Sequence, residues 1–130
     1  MPPVALEPGI SRTDEFTVEG VLLTDVGGTI GVSVLSTPGM IGMIERTAAV
    51  LSFENMPEGK ATVGFEVCVK HVAGAAEGAR CSVTATLREV VDDRKLRFDV
   101  EVSEGDRTIG VGTHERRVID IAGHAAQQSA

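Results

Sequence analysis

The chain has 130 residues, 42% hydrophobic and 24% charged, the length and balance of one globular domain with a single core. Its formal net charge is −7 and its Lys and Arg residues are scattered, which excludes the basic stripe that binding a phosphate backbone requires. Aromatic residues make up 3% of the chain, with no Trp or Tyr, so the stacking platforms that hold single strands are missing too, and no nucleic-acid partner is expected.

Residues 1–13 carry Pro2, Pro3, Pro8 and Gly9 and read as an irregular arm. The arm has no basic region followed by an apolar stretch, and nowhere does the chain approach the roughly 18 consecutive apolar residues of a membrane span. No membrane association and a cytoplasmic location are therefore expected. The folded domain is placed at residues 14–121, opening with a strand from Glu15 to Thr24. The uncharged run GGTIGVSVLS, residues 27–36, follows, and reads either as a plain connection or as a flap over an apolar pocket.

Thr37-Pro38 opens a helix: Thr suits the N-cap, Pro at the first helical position loses no hydrogen bond, and Met40, Met43, Ile44, Thr47 and Leu51 recur at helical spacing. It should end near Asn55 and Pro57. From Lys60 the period becomes two, with Val63, Phe65, Val67, Val69 and His71 on one face of a strand. Ser82 to Val90 is a further strand, ended by a turn at Asp92-Asp93. In the next, Leu96, Phe98, Val100 and Val102 alternate with charged residues, and Arg107 to Ile121 is the last. Cys68 and Cys81 fall in strands without paired spacing and are expected as free, buried thiols. Residues 122–130 form a tail. The order of one strand, one long helix and four more strands predicts an α+β fold, an antiparallel sheet of about five strands wrapped around the helix.

Several residues carry possible chemistry. The unpaired N–H groups at the helix start sit at the positive end of its dipole, a natural donor site for a carbonyl oxygen gaining negative charge. Thr37 adds a hydroxyl there, although a Thr before Pro is most often only a cap, and Gly39 would let a ligand approach the backbone. Glu45 lies among Gly42, Ala48 and Ala49, a face of small residues unlike an ordinary solvated one. Eight residues of helix rise about 12 Å, so Thr37 and Glu45 of one chain cannot meet on one substrate atom. Two antiparallel copies of the helix would solve this, each Thr37 falling beside the other chain's Glu45. His71 ends its strand facing inward unless a bulge intervenes, as a structural residue or a proton carrier. His114, Glu115 and Arg116 follow Gly110 and Gly112, glycines that admit a ligand or another backbone, and read as solvated surface or as giving Arg116 an anion to hold. His71, His114 and His124 lack zinc-site spacing, and no Gly cluster is followed by the Lys of a phosphate-binding loop, so no metal is expected.

Three blocks, TPGMIGMIE from Thr37, GFEVCVKH from Gly64 with AAEG after it, and GVGTHERRVI from Gly110, resemble the hot-dog-fold thioesterases of the fluoroacetyl-CoA-specific family. The resemblance runs from about Asp14 to Asp120. It implies a hot-dog fold, hydrolysis of an acyl-CoA at a dimer interface, and Thr37, Glu45 and His71 as the catalytic set, with Gly64 near the acyl group. It implies no cofactor beyond the coenzyme A that arrives with the substrate, and a homodimer or dimer of dimers. Gly39, Gly42 and Arg116 join Gly64 as expected substrate contacts. The segment 27–36 departs from the family in having no lid aromatics, so selection by acyl size rather than for fluoroacetate is expected. Two other readings stay open: a hot-dog hydratase or dehydratase of enoyl or hydroxyacyl thioesters, and a non-catalytic acyl-CoA-binding dimer.

Overall fold

A computed structural model describes residues 6–123. In chain order these form β1 (Ser11–Thr17), a 3-10 turn (Gly20–Leu22), β2 (Leu23–Thr24), β3 (Val34–Leu35), α1 (Thr37–Glu54), β4 (Lys60–His71), β5 (Arg80–Val91), β6 (Lys95–Glu104) and β7 (Arg107–Asp120). The five long strands make one antiparallel sheet in the order β1-β5-β6-β7-β4, and β2 and β3 pair separately. The expected helix wrapped by five strands is thus present. Among the described residues no helix is long and apolar enough to cross a membrane, and no cluster of three or more possible metal ligands occurs.

The helix lays Met40, Ile44, Thr47, Ala48 and Leu51 on the sheet's inner face, where they meet Val83, Ala85, Leu87, Leu96, Phe98, Val100 and Val102. Strand β6 alternates as read, one residue in and the next out, because each pleat sends successive side chains to opposite faces, and β5 does the same as far as Leu87, where a bulge before Glu89 interrupts it. Their turn holds Asp92 and Asp93 at φ 55° and 54°, the paired left-handed conformation of a tight hairpin turn whose twist matches the flanking strands. A partly buried tie joins β1 to the helix: Thr47 donates to the Asp14 carboxylate at 3.0 Å.

Four expectations are corrected. The first strand begins at Ser11, inside the stretch read as an arm, and stops at Thr17; Gly20, at φ 57°, turns the backbone out of extended geometry before Thr24. Ser36, not Thr37, caps the helix, its Oγ accepting from the Gly39 N–H at 2.9 Å, which places Thr37 inside the first turn. A β-bulge between Gly64 and Glu66 breaks the alternation of β4. Phe65 therefore lies 59% exposed under the Arg117 guanidinium instead of sharing a face with Val69, which packs on the core. Finally Cys68, on this edge strand, is exposed, whereas Cys81 is buried; both are free. Most of the tail at 122–130 lies outside the described residues, as does His124.

Candidate active site

The polar residues singled out in the sequence gather in two groups along the α1–β4 seam. At the helix start, Thr37 Oγ1 and His71 Nδ1 are 2.9 Å apart. Capping by Ser36 makes this possible, since it satisfies the first-turn N–H that a Thr cap would have taken and leaves the Thr37 hydroxyl free. His71 ends β4 opposite Gly110, with its Nε2 enclosed and, among the described residues, without a hydrogen-bond partner. Leaving such an atom unpaired costs about 1–3 kcal/mol and is seldom tolerated away from functional sites. A cavity of about 400 Å³ adjoins the pair, lined by Thr24, Val26, Val34, Leu35, Val72 and Ala73 as well as by Ser36, Thr37, His71 and Gly74. The apolar part of its wall, Val26, Val34, Leu35, Val72 and Ala73, is aliphatic. A second cavity, of about 350 Å³ between Leu6, Met56 and Val118, touches none of the site residues.

The second group surrounds Glu45. Its carboxylate lies over Gly64, so close that a Cβ on that residue would stand 2.6 Å from Oε2, and only glycine lets the carboxylate rest there. Arg116, opposite Gly64 in the β4–β7 ladder, holds its Nη1 3.9 Å from Oε2, beyond direct hydrogen-bond reach. The Glu45 side chain is 42% exposed and the Arg116 side chain 7%. Burial pulls the Arg116 guanidinium below its ordinary range, opposed by the charge of Glu45. The Glu45 carboxylate is thus an anionic group of the protein itself beside Arg116. Its other N–H groups are fixed: Nε donates to Thr62 Oγ1 at 2.7 Å, and Nη2 to the Thr62 carbonyl at 3.0 Å.

The small residues divide by role. Gly42 is exposed with open space beside it, leaving the approach to Glu45 clear, whereas Ala48 belongs to the core. Gly39 serves packing, since a Cβ there would meet Ser36 Oγ at 2.8 Å and the Leu22 backbone at 3.0 Å. Gly110 makes room for Met40, and Gly112 for the β4 backbone. Sequence reasoning missed Ser36, Thr62 and the buried His114. The parity of β7 carried the signal for the last, because His114 and Arg116 are in step with Gly110 and Gly112, which meet the core and β4.

Comparison with known proteins gives the family and the fold. Residues 18–122 match the family described as fluoroacetyl-CoA-specific thioesterase. The fluoroacetyl-CoA thioesterase of Streptantibioticus cattleyicolor is 35% identical over 88 residues, 68% of this chain and 63% of that protein, so the match spans less than two thirds of the relative's length. A solved structure of a fluoroacetyl-CoA thioesterase superposes with a TM-score of 0.84 at 28% identity, covering 95% of this chain and 96% of that one. A threonine-to-serine variant of such an enzyme, in complex with acetyl-CoA, gives 0.86 at 26% identity over 95% and 97% of the two chains. A thioesterase superfamily member from Thermus thermophilus, 23% identical with a TM-score of 0.85 over 99% of this chain and 93% of that one, shares the fold. The fold is the hot-dog fold, and the chain belongs to the fluoroacetyl-CoA-specific thioesterase family.

Proposed function

We propose that the protein is a cytoplasmic acyl-CoA thioesterase that hydrolyses a small or medium acyl-CoA to the free acid and coenzyme A, with its sites shared between two copies of the chain. The observation that carries this reading is the division of the reactive groups. Thr37 and His71 lie at one end of the seam and Glu45 with Gly64 at the other, about 12 Å apart along the helix. Strand β4 is a sheet edge, and an antiparallel copy paired about a twofold axis near Cys68 would, with the bulge counted, bring His71 close to the second chain's Gly64. The same axis would set Thr37 beside the second chain's Glu45, with His71 Nε2 nearby. Family membership supports the reaction.

In this arrangement the Glu45 carboxylate either attacks the thioester carbonyl, expelling the thiolate and forming an acyl anhydride that water then hydrolyses to the free acid and the restored carboxylate, or takes a proton from a water that attacks the carbonyl directly. Thr37 and His71 hold the carbonyl and carry the proton to the departing thiolate. Backbone N–H groups at the helix start or on β4 receive the oxyanion, a contribution of about 3 kcal/mol per donor.

Subunit mixing tests this. Chains carrying Glu45→Gln, and chains carrying both Thr37→Ala and His71→Ala, should each lose at least about 100-fold in thiol release from acyl-CoA. Mixed one to one, half the dimers are hybrid and each hybrid keeps one intact site, so roughly a quarter of wild-type activity should return. Absence of recovery in hybrids verified by mass spectrometry would place each site within one chain.

A further inference from the structure

Beneath the Glu45–Arg116 pair lies a residue with no reactive contact of its own. His114 is 1% exposed, stacked with Phe98 at 6.2 Å between ring centroids. Its Nδ1 is 2.7 Å from the Glu66 carbonyl oxygen, which the bulge in β4 turns toward it, and its Nε2 is 3.2 Å from Arg116 Nη1. A carbonyl oxygen only accepts, so Nδ1 carries the proton. An arginine N–H only donates, so Nε2 offers its lone pair. Both contacts are satisfied by one state of the ring, the neutral Nδ1–H tautomer. A protonated ring would set an N–H against an N–H and a cation against a cation.

We propose that His114 is a positioning residue, which as a neutral imidazole fixes the Arg116 guanidinium so that it faces Glu45 and holds the carboxylate over Gly64. The proposal rests on Glu45 being the reacting carboxylate. Three of the five Arg116 N–H groups are then assigned, those on Nε and Nη2 to Thr62 and one on Nη1 to His114, and Nη1, which keeps a second hydrogen, is the nitrogen that lies 3.9 Å from Glu45 Oε2. Without the His114 acceptor, rotation about the last side-chain bonds is opposed only from the Thr62 side, and Nη1 would leave the carboxylate. Burial, the largest influence on the imidazole, and the neighbouring Arg116 cation both favour its neutral form, while the Glu66 carbonyl and the Glu45 charge oppose them less strongly.

The test uses the full-length protein and two substitutions. His114→Phe keeps the ring and its stack on Phe98 but removes both nitrogens; His114→Gln returns an acceptor toward Arg116. His114→Phe should lower kcat 10- to 100-fold with KM within threefold of wild type, and His114→Gln should recover most of the loss. Adding His114→Phe to Arg116→Met should cost nothing more, because the first acts only through the second. In nitrogen-15 spectra taken without substrate, separate and slowly exchanging Arg116 Nε–H and Nη–H signals should be present in wild type and His114→Gln and lost in His114→Phe. Multiplying losses in the double variant, unchanged kcat in His114→Phe with wild-type melting, or unaltered Arg116 signals would each overturn the proposal. The spectra need no turnover. A wild-type protein inactive on acyl-CoA but with the expected Arg116 signals would overturn the role of Glu45 while upholding the positioning by His114.

Discussion

Gly64 shows how one missing methyl group sets a site. Any other side chain would occupy the space of the Glu45 carboxylate, and because the glycine sits beside a bulge on an edge strand, a Cβ there can be met by swinging the glutamate outward rather than by distorting the sheet. Gly64→Ala should therefore lower kcat at least about 10-fold, a misplacement effect. Its melting temperature should stay close to wild type. Steady-state kinetics beside thermal unfolding checks this, and an undiminished kcat would mean that the carboxylate reacts from another position. At this scale the sequence was legible where a residue type is rare in its setting, as with Glu45 among small residues. It was not legible where two hydroxyls adjoin. Ser36 and Thr37 are both good caps, and only the backbone geometry assigns the cap to Ser36 and the histidine contact to Thr37. Likewise, burial of His114 follows from the parity of β7, which the two glycines mark only once their neighbours are known.

Among the elements, the helix is held by its start and by its contact with β1. Burial raises the Asp14 carboxyl, but hydrogen bonds from Arg12 and Thr47 outweigh it, so the group titrates below its ordinary value. A carboxylate depressed in the folded state stabilises the fold above its unfolded value, near 4, and ceases to do so as pH falls through the folded one. Asp14→Asn should thus cost about 1 kcal/mol at pH 7, modest because the pair is partly solvated, with the difference from wild type shrinking below about pH 4. Denaturant unfolding at both pH values measures it; an equal loss at both would assign the effect to shape rather than charge. The long strands and the helix were readable because their apolar periods are unbroken over many residues. The β4 bulge was not, since Phe65 continues an apolar alternation that the backbone abandons one residue earlier, and a bulge depends on the partner strand's register, not on local composition.

For the whole molecule, the substrate range follows from the wall of the cavity beside Thr37 and His71. Val26, Val34, Leu35 and Val72 contribute, and among the described residues no Phe, Tyr or Trp side chain does. Aliphatic contacts discriminate by about 1–3 kcal/mol per methylene and offer nothing directional to a carbon–fluorine dipole. Across fluoroacetyl-, acetyl-, propionyl- and butyryl-CoA, kcat/KM should therefore track acyl size, with fluoroacetyl close to acetyl. A thousandfold fluoroacetyl preference would show that lid aromatics are not what confers that selectivity.

The free side of β4 also bears on solubility. Among the described residues one side of the twelve-residue strand β4 has no neighbouring strand, and such an edge can template an extended chain and promote aggregation. The bulge at Gly64 to Glu66 interrupts that template, and the charges of Glu66 and Lys70 punctuate the stretch beyond it. The kink that frees space for a carboxylate thereby also guards newly made chains against indiscriminate strand addition.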